Sequence, residues 1–533
     1  MSLIALRAQV TFRDVPAKLV GKAVTAPPRP TRIEPVPLTT LVARAGARVV
    51  DPPENLSDLV TTGATLRAQH VLPGDLFAAL PGARVHGADF AEAAITAGAV
   101  AVLTDEAGAA RPVIRESGLP VLVHDDPRGV LGEMAAWIYG EPSLQLAILG
   151  VTGTSGKTTT TYMIDSGLRA AGYRTGLVGT VETRIAGQRL ASAFTTPEAP
   201  DLQALFAVMV ERGVTHVPME VSSHALALGR VNGTRFAVGG FTNLSQDHLD
   251  FHADMEDYFQ AKALLFDGRS TAEVVCVDGE WGTRLVTPRT ITVATTGEAD
   301  WTATGITTSR SGEQSFTVHG PGGLALAVTL PIPGSFNVAN ALLAAGCLHR
   351  AGVAPADIVT GLSNVEVPGR MERVALGQDF TAVVDYAHKP AAVALALDAM
   401  RGRTDGRLIV VLGCGGDRDQ AKRPLMGEAA ARRADLLIAT DDNPRTEDPA
   451  AIRAAMLAGA LGVPAGERGE VLEVGDRRAA IEAAVAQVRP GDVVVIAGKG
   501  HETGQEINGV VHPFSDRDEL RHAISVRLEK GTG

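Results

Sequence analysis

The stretch LQLAILGVTGTSGKT, Leu144 to Thr158, joins an apolar strand-like run, Leu144 to Val151, to Gly-Thr-Ser-Gly-Lys-Thr at Gly153 to Thr158. An amphipathic stretch, Thr159 to Ala171, follows. A glycine-rich turn between a buried strand and a helix offers backbone N–H groups and a helix N-terminus to a phosphate chain. Lys157 then neutralises the outer phosphates, and the Thr158 hydroxyl can serve Mg²⁺. Gly153, Thr154, Ser155, Gly156, Lys157, Thr158 and Thr159 are therefore the expected nucleotide-binding residues. The spacing departs from the common pattern, which places glycine where Val151 stands; here the glycines fall at Gly150, Gly153 and Gly156.

Working outward, 533 residues exceed one hydrophobic core, and a prior of about 150 residues per domain suggests three or four. Hydrophobic residues make up 45%, charged residues 20% and aromatics only 4%, which favours alternating strands and helices over a β-sandwich. A net charge of −11 argues against wide contact with nucleic acid or an anionic membrane. Cys276, Cys347 and Cys414 lie far apart, as expected for a reducing cytoplasm without structural zinc. No apolar run reaches about 18 residues, so no membrane span is expected.

The pattern predicts an α/β chain of three domains: a central P-loop domain with a parallel sheet, an N-terminal α/β domain and a C-terminal Rossmann-like domain. Residues 1–37, rich in proline at the end, read as a flexible tail. An α/β unit follows over 38–142, with strands at Leu76 to Leu80, Val100 to Thr104 and Val121 to His124. The segment Leu80 to Gly87 would suit a loop closing over a ligand. The nucleotide domain is expected over 143–367 and a doubly wound unit over 368–533. In such a sheet ligands gather at the carboxyl ends of strands. Here those ends read Asp385-Tyr386-Ala387-His388, Gly413 to Arg418, Asp441 to Arg445 and Gly498 to Glu502.

Three further places stand out. Glu220 follows an apolar run one strand from the phosphate loop, where a carboxylate can hold Mg²⁺; the plainer reading is a helix start capped by Glu220 and Ser222. Phe241 to His252 is dense in polar groups, and His248 could bind a metal or its water, with Asp250 and His252 less committed. Lys262, by itself, reads as the solvated flank of an amphipathic helix.

These segments, with Pro333 to Asn340, Gly369 to Glu372 and Asp385 to His388, occur in one order and resemble the ATP-dependent Mur ligases of peptidoglycan synthesis. The resemblance covers nearly all of the chain after residue 60. It implies that Lys262 is carbamylated by CO₂ and serves Mg²⁺ with Thr158, Glu220 and His248, and that Lys157, Lys262 and His248 are the catalytic group. It implies that Asn243, Asn337, Arg370 and Asp385 hold ATP. For a UDP-muramoyl dipeptide it implies Thr65, Leu66, Arg67, Ala83, Arg84, Val85, Thr195, Thr196, Ser222 and Arg230. Arg418, Asp442, Asn443, Pro444, Arg445, Gly498 and Glu502 correspond to the receiving site for an incoming amino acid, meso-2,6-diaminopimelate in the form this set resembles.

A guanidinium such as Arg445 suits the carboxylate at the far end of diaminopimelate, which L-lysine lacks, so a buried Arg445 left unpaired would discriminate against lysine. Phe194 and Leu228 stand where relatives often carry polar amides, and Thr65-Leu66-Arg67 replaces a common Asp-Ser-Arg. The resemblance implies a cytoplasmic monomer acting on small molecules. A lysine-adding form of the same ligase, a folylpolyglutamate synthetase and a non-catalytic ATP-binding regulator remain the alternatives.

Overall fold

The computed structural model describes residues 28–82, 85–190, 194–249, 251–309 and 312–531. Ala83, Arg84, Asp250 and residues 1–27 of the expected tail lie outside them.

The run Leu144 to Thr158 forms the strand Ala147–Thr152 and passes through the loop into the helix Lys157–Ala170. The strand is apolar throughout because it lies inside a sheet covered on both faces. Its parallel neighbours are His216–Glu220 on one side and Phe236–Phe241 on the other. The sheet continues in parallel through Ser270–Cys276, Thr290–Ala294 and Trp301–Thr308. Beyond these, Trp301–Thr308, Gln314–Gly320 and Leu324–Leu330 pair antiparallel, and Gly176–Val178, Thr183–Ile185 and Gln188–Leu190 do so at the opposite edge, giving eleven strands. The sheet is thus mostly parallel, as expected, and turns antiparallel at both edges.

The helix Lys157–Ala170 departs from its amphipathic reading. All of Thr158 to Leu168 is buried, because the helices Phe336–Arg350 and Pro355–Ser363 pack over what would be a solvent face. Gly361 allows this approach: a Cβ there would lie 2.3 Å from the Gly167 Cα.

The N-terminal unit has a five-stranded sheet, parallel through Gly63–Thr65, Asp75–Ala78, Ala101–Thr104 and Val121–Val123, with Arg48–Val50 antiparallel at one edge. Within the expected tail, residues 28–37 are held down. Arg29 pairs with Asp75 at 2.5 Å, and the Thr31 and Arg32 backbone N–H groups both donate to Glu211 at 2.8 Å. Val36–Pro37 pairs with Val60–Thr61 as a short antiparallel ladder.

The C-terminal unit is a six-stranded sheet in the spatial order Glu372–Arg373, Thr381–Asp385, Val493–Ala497, Leu408–Cys414, Leu436–Asp441, Glu470–Glu473. All pairs but the first are parallel. The carboxyl ends of the parallel strands thus share one edge, and that edge faces the phosphate loop. The domains meet through Arg370 Nη2, which donates to the Thr158 hydroxyl at 3.3 Å, and through Arg403 Nη2, which donates to the Gly312 carbonyl at 2.7 Å.

Candidate functional site

The phosphate loop is built by its glycines. Gly153 (φ +140°) and Gly156 (φ +87°) hold conformations that side chains rarely adopt, and a Cβ would lie 1.9 Å from Thr242 Oγ1 and 2.3 Å from Asn340 Oδ1 respectively. Gly150 serves packing instead: its Cβ would lie 2.7 Å from the Phe236 ring inside the sheet. Val151 is fully buried within the strand, so the unusual spacing reflects where the strand ends. Asn243 braces the loop from the next strand. Its side chain accepts from Ser155 N and donates to Ser155 O, each at 3.1 Å, while its carbonyl accepts from Thr154 N at 2.9 Å.

Two lysines converge on this turn. Lys157 Nζ donates to the Gly153 and Thr154 carbonyls at 2.9 and 3.0 Å, and Lys262 Nζ donates to the same Gly153 carbonyl at 2.8 Å. Lys262 is 1% exposed, with its ammonium 4.5 Å from the centre of the Tyr258 ring. The solvated-flank reading of Lys262 is thus wrong: helix Met255–Ala263 turns this side chain inward, under the loop. Burial lowers the Lys262 amine well below the usual lysine range, and the neighbouring Lys157 lowers it further. Burial also brings Lys157 down to about 8 against the attraction of Glu220.

Glu220 is buried at the end of its strand. It accepts from the Thr158 hydroxyl at 3.0 Å, from Thr180 N at 2.8 Å and from Thr180 Oγ1 at 3.1 Å. The capping reading holds for Ser222, which accepts from Ala225 N at 3.1 Å, and not for Glu220. His248 has φ +54° and pairs with Asp247 at 3.1 Å; its ring meets His224 edge-on at 4.9 Å. Burial keeps His248 neutral well below the usual histidine range, in opposition to Asp247. Among the described residues no three His, Cys, Asp or Glu side chains gather as a metal cluster. The Thr158 hydroxyl and Glu220 carboxylate form a pair of hard oxygen donors beside the loop, a set that fits Mg²⁺.

Across the cleft Arg370 lies 4.3 Å over the Tyr386 ring. Asp385 accepts from Met371 N at 2.7 Å and Ala387 N at 2.8 Å; burial raises its carboxyl despite the nearby Arg370. Asn337 is buried at the start of helix Phe336–Arg350, where its side chain accepts from Asn340 and donates to the Pro333 carbonyl.

Lys157, Thr158, Glu220, Asn243, His248, Asn337, Arg370 and Asp385 line one cleft of about 2390 Å³, which also takes in Arg67, Thr195, Thr196, Ser222, Arg230, Arg418 and Arg445, whereas Lys262 lies beneath the loop, outside the lining. The Thr196 hydroxyl donates to the Glu220 carbonyl at 2.9 Å, and Arg230 donates to the Thr196 carbonyl at 3.3 Å. Phe194 lies under both Arg67 and Arg230, 5.8 and 5.1 Å from their guanidinium carbons, so the ring orders two cations where an amide was expected.

Other expected residues stay outside the lining. Thr65 is buried at the end of its strand, accepting from Arg67 N, Leu66 packs against the N-terminal core, and Val85 is exposed. Asp442, Asn443, Pro444, Gly498 and Glu502 stand behind the strand-end edge. There Asn443 joins Glu502, Lys499 and the Glu506 backbone at 2.8 to 2.9 Å. Arg445 (φ +54°) is half-buried; it donates to the Gly416 carbonyl at 2.6 Å and faces Glu506 at 3.4 Å. The expectation of an otherwise unpaired Arg445 is thereby corrected, since Glu506 already answers part of its charge.

Sequence reasoning missed Asp247, Lys389, Glu447 and Glu506 on the cleft wall. Asp247 and Lys389 lay within or next to quoted motifs, whereas Glu506 offered no sequence signal.

Three family models match the chain: Mur ligase family, catalytic domain, at residues 60–139; Mur ligase middle domain, at 151–348; and Mur ligase, glutamate ligase domain, at 369–500. A UDP-N-acetylmuramoyl-L-alanyl-D-glutamate--2,6-diaminopimelate ligase of Corynebacterium efficiens is 56% identical over 467 residues, spanning 86% of this chain and 89% of that protein. The protein of the same name from Streptomyces coelicolor is 55% identical over 505 residues, spanning 93% and 98%. A solved structure of a ligase of that name superposes with TM-score 0.64 at 34% identity, covering 90% of this chain and 97% of the other. With three Mur ligase models matched in order along the chain and relatives above half identical over most of its length, this protein belongs to the Mur ligase family.

Proposed function

We propose that the chain is an ATP-dependent, ADP-forming ligase that joins meso-2,6-diaminopimelate to UDP-N-acetylmuramoyl-L-alanyl-D-glutamate in peptidoglycan precursor synthesis. The observation that carries this reading is a single cleft into which the phosphate loop, the Thr195–Arg230 wall and the Arg418–Arg445 edge all open. Identity above half to relatives bearing that name supports the choice of substrates.

In this reading the phosphate loop and Lys157 hold the triphosphate, and Arg67 and Arg230 meet the anionic nucleotide sugar. The free α-carboxylate of the D-glutamyl residue takes the γ-phosphate and becomes an acyl phosphate. The amine of diaminopimelate, held near Arg418 and Arg445, attacks that carbonyl, and phosphate leaves from the tetrahedral adduct. Thr158 and Glu220 would hold Mg²⁺, with His248 and Lys262 completing the set; the ion supplies charge neutralisation of the phosphates. Lys262 acts here as a carbamate, formed when its neutral amine adds CO₂ and releases a proton. A buried amine with a depressed pKa and no carboxylate on it supports that chemistry.

The alternative specificity, L-lysine, would leave Arg445 on Glu506 rather than bare. Preference for diaminopimelate therefore rests on exchanging Glu506 for the substrate carboxylate. The chain is read as acting as a monomer on these small molecules. Three buried, unpaired cysteines suit the cytoplasm, and no helix among the described residues is long and apolar enough to cross a membrane.

The test is phosphate release from ATP in the presence of the UDP-muramoyl dipeptide and diaminopimelate. Release is expected only with both present and weakly with L-lysine; equal or better use of lysine rejects the specificity, and release without an amine rejects the ligase.

A further inference from the structure

Lys389 is the residue just before helix Pro390–Arg401 and belongs to the C-terminal domain, yet its ammonium is bonded to the carboxylate of Asp247 in the central domain. Both side chains line the cleft. Asp247 also holds His248 at 3.1 Å. Burial would raise the Asp247 carboxyl, but Lys389 and then His248 hold it below the usual range.

The surrounding charges make this pair unlike a surface ion pair. Lys389 adds to the positive field felt by Lys157 and by Lys262, as Arg370 does at Lys157. Lys157 rests on carbonyls of its own loop and Arg370 on the Thr158 hydroxyl. Of these three cations on the cleft wall, Lys389 is the one whose charge is answered by a carboxylate from the opposite domain. A triphosphate on the loop brings several negative charges to the same region. A single carboxylate is the weaker partner for a compact ammonium on a flexible four-carbon stem.

We propose that Lys389 is a further catalytic cation of the ligase reaction, parked on Asp247 and transferred to the γ-phosphate of bound ATP. This rests on the functional reading above. As the glutamyl carboxylate oxygen bonds to the γ-phosphorus, the bond from that phosphorus to the β,γ-bridging oxygen breaks and its electron pair leaves with ADP. Lys389 keeps its proton throughout and neutralises the γ-phosphoryl oxygens. The contact passes with the phosphoryl group to the acyl phosphate and ends when phosphate leaves; ADP alone offers no γ-phosphate, so Lys389 then returns to Asp247. The C-terminal domain thereby senses whether a transferable phosphoryl group is in the site.

Calorimetric titration with a non-hydrolysable ATP analogue and with ADP, both with Mg²⁺, tests this without turnover. Lys389→Met is expected to weaken the analogue about tenfold and ADP less than about twofold. Its kcat should fall about 100-fold, the scale of losing one transition-state donor. Lys389→Arg should recover part of both losses. Asp247→Asn frees the ammonium and should leave analogue affinity at or above that of the parent protein.

Equal weakening of analogue and ADP by Lys389→Met, or of neither, overturns the proposal. So does an Asp247→Asn variant that loses analogue affinity as Lys389→Met does, because Lys389 would then act only as a domain latch. If the parent protein ligates nothing while the analogue–ADP contrast holds, the functional reading fails and the phosphate contact stands.

Discussion

At Lys262 one residue changes meaning between chain and fold. Its local pattern is that of a helix flank, whereas the family resemblance implies a carbamate; burial under the Gly153 carbonyl and a depressed amine agree with the second reading. Lys262→Ala is expected to lose nearly all turnover, and bicarbonate should not restore it; near-normal kcat in that variant removes the carbamate from the mechanism. Gly156 makes the opposite point, since its role was legible from the sequence alone. Gly156→Ala would place a methyl 2.3 Å from Asn340 Oδ1 at φ +87° and should weaken ATP binding at least about tenfold, as measured by calorimetry. Arg445→Lys replaces a planar fork with a point charge. It is expected to raise KM for diaminopimelate about tenfold while KM for ATP stays within about twofold; an unchanged KM for diaminopimelate takes Arg445 out of the amine site.

At the scale of elements, strands were the most legible. The runs Val100 to Thr104 and Val121 to His124 form the strands Ala101–Thr104 and Val121–Val123, within a residue of their apolar bounds, because a strand buried on both faces reads as a continuous hydrophobic run. The helix after the phosphate loop was misread for the same reason in reverse. An amphipathic stretch over Thr159 to Ala171 would leave one face to solvent, yet Thr158 to Leu168 are buried under elements nearly 200 residues later. That packing is close enough to test. Gly361→Ala drives a methyl into the Gly167 backbone and should destabilise the central domain by about 1–3 kcal/mol, seen as a lower thermal or urea midpoint. No change in midpoint would mean that the two helices separate easily, contrary to their contact.

For the whole molecule, the decisive feature is that three sheets present one cleft, bridged by Arg370 to Thr158 and by Arg403 to Gly312. Thr158 and Thr180 both donate to the Glu220 carboxylate, so protein hydrogen bonds link the loop to the neighbouring strand at this site. Chelation of Mg²⁺ is therefore expected to stop turnover while moving the thermal midpoint of the nucleotide-free protein by less than about 2 °C. A large drop would make the ion a structural element. By itself the chain determined the phosphate loop, the order of α/β units and the strand ends that carry polar groups. These are local consequences of hydrophobic period and glycine placement. The family resemblance implied a pocket for Lys262 that its local pattern hid, and only the tertiary structure decided that Glu506 shares Arg445 and that Lys389 reaches Asp247. Each of those depends on where elements far apart in sequence are packed, and charge and burial act through space and not along the chain.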